Sequence, residues 1–344
     1  MTTSFRPEVA LSIGGRALSA PEAALLAARV DLGVGAGHDR AVVALGGLSA
    51  FAGTTAGARF ALSLGYDGST TAVLSGTVAT VRQAPFGSVV EALAATCALS
   101  ATRTGRAFLS QSVADIVRAL AGEGGVPTGQ VEATTRLAAY HVDERRTVWD
   151  HLQDLARLAG CETSCDAKGQ LCFRPPGGPG GAGGAASGLA AVATAAAASL
   201  LGVSSGARLR YGAELLGWDV GERSPGPDAP AVVAYGDGPA RWHVLVKEPD
   251  GGAPSEPTIV PAAVRDRTAA QSMAKGLAAA ASRRSAATRL AVVGDASIRP
   301  GDQVSVADPP ASSAPAAGYR AVAVRHQLSP ATGFRSLLTL EGAA

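Results

Sequence analysis

Two glycine patterns and one cysteine cluster are the places where this sequence could do chemistry. Gly202-Val203-Ser204-Ser205-Gly206 satisfies G-x-S-x-G, the pattern that sets a nucleophilic serine on a tight turn between a strand and a helix. Here it closes a stretch laden with glycine and alanine, with no repeated strand–helix units around it, so chance accounts for it better than Ser204 hydrolase chemistry. Gly33-Val34-Gly35-Ala36-Gly37 matches part of a dinucleotide fingerprint. It lacks the third correctly spaced glycine and opens no helix, which leaves a turn between strands. Cys161, Cys165 and Cys172 fall close together with His151 upstream, and Cys161 to Cys165 fits a zinc pair only loosely. Small apolar residues on a hairpin are the better reading of these cysteines. His38, His141, His151, His243 and His326 are scattered with no i, i+4 pair. Asp143-Glu144-Arg145-Arg146 reads as a solvated turn. No catalytic residue, cofactor or metal ligand is therefore assigned, and the chain is read as a non-enzyme.

The elements that would position such groups must come from a chain of 344 residues, enough for two or three domains. Hydrophobic residues make up 47% but aromatics only 4%, so the core rests on Ala, Val and Leu. Each of these buries modest area, at about 25 cal/mol per Å², and stability is expected to lean on assembly with other subunits. With 30 basic and 28 acidic residues the net charge is +2, which argues against nucleic acid and against direct membrane binding. The N-terminus lacks a signal-peptide apolar run, and the longest apolar run, 188–201, is shorter than the ~20 residues a membrane span needs. A cytoplasmic protein is expected.

Residues 1–90 read as short alternating strands. Val9, Leu11 and Ile13 share a face before Gly14-Gly15; Leu26, Ala28, Val30 and Leu32 share another; Phe60–Leu64 and Ala72–Val81 flank the turn at Tyr66-Asp67-Gly68. The period then changes. Val113, Ile116, Val117 and Leu120 fall on one helical face, with Ser112 and Asp115 at its start and Gly122 as its stop. Val148, Leu152, Leu155 and Ala159 mark a second helix between a Thr147/Asp150 cap and Gly160, and a hairpin over Cys161–Phe173 turns at 166–169. Residues 177–206 are a Gly/Ala-rich low-complexity insert, read as a mobile linker. Beyond it, Leu209–Val220, Ala231–Tyr235, Trp242–Lys247, Leu290–Val293, Gln303–Val306, Tyr319–Leu328 and Phe334–Leu340 read as strands, and Val264–Arg284 as a helix. Trp149 and Trp242 read as apolar anchors.

Several of these stretches resemble the late control protein D family of phage-tail hubs, which includes the N-terminal part of VgrG spikes. FLSQSVADIVRALAGEGGV (108–126) and YHVDERRTVWDHLQDLARLAGCETSCDAKGQLCFRP (140–175) carry the resemblance. Gln111, Ser112, Asp115 and Ile116 match the family's first helix start; Leu152, Leu155 and Gly160 match its second helix; Phe173 ends the hairpin. Gly212, in RYGAELL, Pro300-Gly301-Asp302 and Tyr319–Val322 match the second β region, and 64–68 with 73–78 match the first. No oligosaccharide-binding fold or β-helical spike follows the last strands before Ala344, unlike VgrG.

The resemblance implies an α+β, mainly β fold: two tube-like small β-barrel domains (1–90 and 207–344) flanking an α+β module (91–176). It implies a trimeric structural hub of a phage tail or contractile injection system, joining a six-fold inner tube ring to a three-fold, separate spike protein beside baseplate wedge proteins. Assembly would take place in the cytoplasm, and the product would be a phage-tail-like particle. A second expectation is that the insert carries effector cargo.

Overall fold

Strand β1 (Pro7–Ile13) buries Val9, Leu11 and Ile13 on one face, as its alternation predicts, and turns through Gly14 and Gly15, both at positive φ, into β2 (Arg16–Ser19). A computed structural model describes residues 6–35, 37–47, 49, 51, 53–176, 206–222, 231–235, 243–246, 258–259, 263–265, 267–283, 286–307 and 318–342. The insert, with Ser204 and its proposed cargo role, lies outside the described residues apart from Gly206; so does Trp242.

In β3 (Leu25–Gly33), Ala28, Val30 and Leu32 point into the core, but Leu26 does not share their face. A bulge between Leu25 and Ala27 in the pairing with β4 (Arg40–Gly46) turns Leu26 outward, to 53% exposure. Strands β5 (Arg59–Tyr66), β6 (Ser69–Ala84) and β7 (Gly87–Ala94) complete the first β region, with Asp67 and Gly68 at positive φ in the β5–β6 turn.

The middle of the chain holds α1 (Ala98–Ala101), β8 (Arg106–Ser112), α2 (Val113–Glu123), β9 (Thr128–Val131), β10 (Arg136–Val142), α3 (Val148–Ala159), β11 (Glu162–Cys165) and β12 (Leu171–Arg174). Helix α2 runs past Gly122 and ends at Gly124, because one interior glycine costs only about 1 kcal/mol when the apolar face continues. Helix α3 has the full Thr147/Asp150 capping box and stops at Gly160 in the left-handed conformation.

The expected strand over Leu209–Val220 is two strands, β13 (Gly206–Arg210) and β14 (Leu215–Glu222). Gly212 at φ +79° makes the turn between them, clamped by Arg210 against Glu214 (2.6 Å). Next come β15 (Ala231–Tyr235), β16 (His243–Val246), β17 (Thr258–Ile259), α4 (Arg267–Arg283), β18 (Ala286–Val293), β19 (Gln303–Ala307), β20 (Tyr319–Ser329) and β21 (Gly333–Gly342).

Neither β region closes into a barrel of its own among the described residues. Edge strand β3 pairs instead with β20 of the other region, from Ala28↔Leu328 to Gly33↔Ala323, and one open sheet results. Its main path contains an all-antiparallel run β14-β18-β21-β20-β3-β4-β7-β6. Each region supplies four strands in the same order: first, second, fourth, third. In each, a further antiparallel strand flanks the third one, β5 beside β6 and β19 beside β20. The repeat is one of topology. A single buried cluster underlies both halves, from Val9 and Leu11 to Leu338 and Leu340.

A second cluster fills the α+β module. Helix α4 contributes Ala269, Ala270, Met273 and Ala274 to it and packs on α3, although sequence order places it within the last β region.

Candidate functional site

The family-motif residues divide between a helix start, a core and the seam where the module meets the sheet. At the start of α2, the Ser112 hydroxyl accepts the Asp115 amide at 3.2 Å, satisfying one of the free N–H groups of the first turn. Asp115 also pairs with Arg118 at 3.2 Å, and Gln111 sits exposed on β8 opposite Leu137. Ile116, Leu152, Leu155 and Phe173 are brought together, fully buried, in the module core. Gly160 lies against Gly276 of α4, where a Cβ on Gly160 would come within 3.2 Å of the Gly276 Cα.

The seam is built from residues far apart in the chain. Gly35 donates its amide to the Thr163 carbonyl at 2.9 Å, and the Thr163 hydroxyl returns a bond to the Gly35 carbonyl at 2.9 Å. Val34 donates to the Val322 carbonyl at 3.0 Å, so the glycine-rich turn spends two of its amides on structure. On the other side of the hairpin, Ser75 donates to the Ala167 carbonyl at 2.7 Å. Pro300-Gly301-Asp302 hooks onto β20: the Gly301 amide donates to Ala321 at 2.7 Å and the Ala321 amide to Asp302 at 2.9 Å. A Cβ on Gly301 would meet the Arg174 guanidinium at 3.0 Å, which brings the end of the hairpin motif against this turn. Gly212 takes no part in the seam.

Charges are buried here. Arg320, 5% exposed, pairs with Glu162 of the hairpin and lies 3.8 Å from Glu341. Arg299 donates to the Val73 carbonyl at 2.6 Å, and its charge faces Asp39, Asp166 and Asp302. Burial pushes the Asp39 carboxyl up to about 7, opposed by the Gly33 amide that it accepts and by Arg299. Burial also pushes His326 down to about 4, with the Arg299 charge adding to the effect. Spacing gave no sign of this cluster, since its members are separated by up to hundreds of residues; only the buried charges themselves could have drawn notice.

The groups singled out for chemistry are tied into this framework. The His151 ring lies 3.1 Å from the Tyr140 hydroxyl at Nδ1 and 3.1 Å from the Asp143 amide at Nε2. His38 bonds Thr96 and Ser100 and packs its ring on Trp149, centroids 4.4 Å apart. His326 Nδ1 bonds the Ser336 hydroxyl at 2.8 Å. Burial pushes the Cys161 and Cys165 thiols up to about 12, away from the thiolate that nucleophilic attack or metal binding needs. Cys172 is buried on β12. The arrangement is mechanical: it locks a helical module onto one rim of a long sheet.

The sequence over residues 46–332 matches the phage tail baseplate hub (GPD) family. The chain belongs to that family. It is thus a structural component of a phage-tail-like baseplate, and the match spans every motif residue named above. No curated protein matches the sequence. Among solved structures, a tail protein from Neisseria meningitidis is similar at TM-score 0.69 and 16% identity, covering 98% of this chain and 96% of its own. The 43 kDa tail protein of prophage MuSo2 from Shewanella oneidensis is similar at TM-score 0.66 and 13% identity, covering 97% and 98%. An Escherichia coli component of the type VI secretion system is similar at TM-score 0.58 and 10% identity, covering 97% and 77%. At these identities the likeness is one of fold, and it extends along the whole hub body.

Proposed function

We propose that this hub acts as a homotrimeric ring joining a six-fold inner tube to a separate three-fold spike protein, by shape and without catalysis. The observation that carries the reading is the repeated four-strand order within the eight-strand run. In that run the last strand of one unit, β20, pairs with the first of the next, β3. The same two kinds of edge stand open at its ends: β14 is the first strand of its unit, and the 79–84 half of β6 lies in the last. Among the described residues β14 pairs only with β18, and this half of β6 only with β7.

Unpaired strand edges invite pairing with another chain. A copy placed so that its β6 meets the neighbour's β14 would repeat the internal β20–β3 joint, and the strands would still alternate in direction. Such a head-to-tail contact makes a closed ring when its rotation closes. Three copies would present six similar units, which is the match a six-fold tube needs, while the α+β module occurs once per copy and suits a three-fold spike. In this reading residues 1–90 and 207–344 are tube-like units, 91–176 is the module with α4 joined to it, and the motif residues hold the parts in register. Wedge proteins would contact the outside, and the trimer would assemble in the cytoplasm before joining the particle.

Light scattering of the full chain and negative-stain microscopy test the reading. A trimer mass with a three-fold ring is expected. A monomer at every concentration, in the presence of tube protein as well, would sink it.

A further inference from the structure

Five large hydrophobic side chains are exposed among the described residues: Leu26 (53%), Phe86 (88%), Leu109 (71%), Tyr211 (51%) and Leu216 (54%). Strand direction places four of them on one rim of the sheet. Leu26 stands at the start of β3, Phe86 in the β6–β7 turn, and Tyr211 and Leu216 where β14 begins; the register aligns these ends with Gly46, Gly87 and Val292. The opposite rim carries Gly35, Ser75, Gly301 and Arg320, which the α+β module covers.

Leu26 and Leu216 correspond to each other. Each is the second leucine of a Leu-Leu pair at the start of the first strand of its unit, and each sits at a bulge, between Leu25 and Ala27 in one case and Leu215 and Gly217 in the other. A bulge adds an unpaired residue whose side chain leaves the alternation of the strand. The same exposed leucine is thereby produced twice per chain, once per unit. Phe86 and Tyr211 have no such counterpart.

We propose that Leu26 and Leu216 are equivalent anchors that dock the uncovered rim onto the end of a six-fold ring, the inner tube. This rests on the trimeric reading above. Three copies would carry six such leucines around one rim, so each subunit of a six-fold partner would meet the same apolar knob. A three-fold partner would use only one kind of position, and its natural seat is the module side, where every feature occurs once per copy. Apolar anchors at the centre of a contact carry most of its energy when a pocket on the partner receives them.

The test uses the full chain with preformed tubes of the tail-tube protein from the same particle. Leu26→Asp, Leu216→Asp, the double variant and Leu109→Asp, on the module, are compared by light scattering and by co-sedimentation with the tubes. Trimers are expected throughout, with tube binding weakened about ten-fold by each rim variant, abolished in the double variant and unchanged by Leu109→Asp. Leu26→Ser and Leu216→Ser guard against misfolding and should weaken binding in the same order. Wild-type trimers that do not bind tubes, or rim variants that remain trimeric and bind like wild type, would overturn the docking proposal and leave the trimer standing. A monomeric wild type would instead remove the reading beneath it.

Discussion

Gly160 and Gly276 meet backbone to backbone where the end of α3 crosses α4: a Cβ on Gly276 would lie 2.6 Å from the Gly160 Cα. Two glycines let the helices approach where any side chain would force them apart, and this contact fastens α4 to the module. Gly160 has a second reason to be glycine, its φ of +64°.

Gly276→Ala is expected to lose about 1–3 kcal/mol to overpacking, against about 1 kcal/mol of helix propensity gained. Gly122→Ala in α2 is the control, because a Cβ there meets nothing within 4 Å. That variant should be slightly more stable than wild type. Denaturant midpoints of both proteins check the pair, and equal shifts would contradict the close contact.

Asp39 should make stability fall as pH rises. Burial holds its folded carboxyl at about 7, above the ordinary carboxylate value near 3.9, so the native state binds the extra proton between these limits. The contribution is full below about pH 4 and lost as pH climbs through 7. Relative to wild type, Asp39→Asn should therefore gain stability steadily from pH 4 to pH 7 and then level off. Urea midpoints across that range measure it; a difference independent of pH would count against the burial.

His326 has the opposite sign. Its folded pKa of about 4 lies below the ordinary value near 6.5, so the unfolded chain binds more protons between them. Stability from this residue is present above about pH 6.5 and lost as pH falls toward 4. His326→Gln should flatten that acid limb, seen in the same pH series, whatever its cost at neutral pH.

Breaking the Arg320–Glu162 pair should loosen the module. Arg320 is 5% exposed, but Glu162 is 22% exposed and Glu341 stays 3.8 Å away, so Glu162→Gln should cost about 1.5–3 kcal/mol, as for a hydrogen bond to a charged group. Because Glu162 lies on β11 and Arg320 on β20, hydrogen exchange of the β11–β12 hairpin should quicken before that of β3 and β4. Uniform quickening would show that the pair does not fasten the seam.

Thr147→Ala should cost about 1–2 kcal/mol, since it removes the side chain that accepts the Asp150 amide at 3.1 Å. Ser112→Ala at α2 should cost a comparable amount. Thermal melts of both variants measure the two caps.

The module was open to a reader of the sequence because its signals are local. The Thr147/Asp150 box, the apolar stripe through Leu152 and Leu155, the left-handed Gly160 and the turn at 166–169 each lie within a few residues of what they shape. The motif residues in this stretch pointed to the family for the same reason. The strands of the first region were only partly visible: β4 and β7 alternate in burial, but their Ala- and Val-rich runs do not alternate apolar with polar residues.

Tertiary structure decided the rest. That β3 pairs with β20 rather than closing its own barrel depends on backbone edges, which present the same donors and acceptors whatever the side chains. The outward Leu26 follows from a bulge set by the partner strand, so its own apolar spacing predicted the wrong face. Helix α4 stays against β15 and β16 but also reaches α3, because Gly160 and Gly276 permit close approach. Arg299, Asp39 and Arg320 acquire their roles only by burial against groups distant in sequence. By itself the sequence determined the helices, caps and hairpin, whose energetics are local, and with them the family. Only the folded sheet, built from long-range backbone pairing, decided the repeat of four strands and the rim that repeats with it.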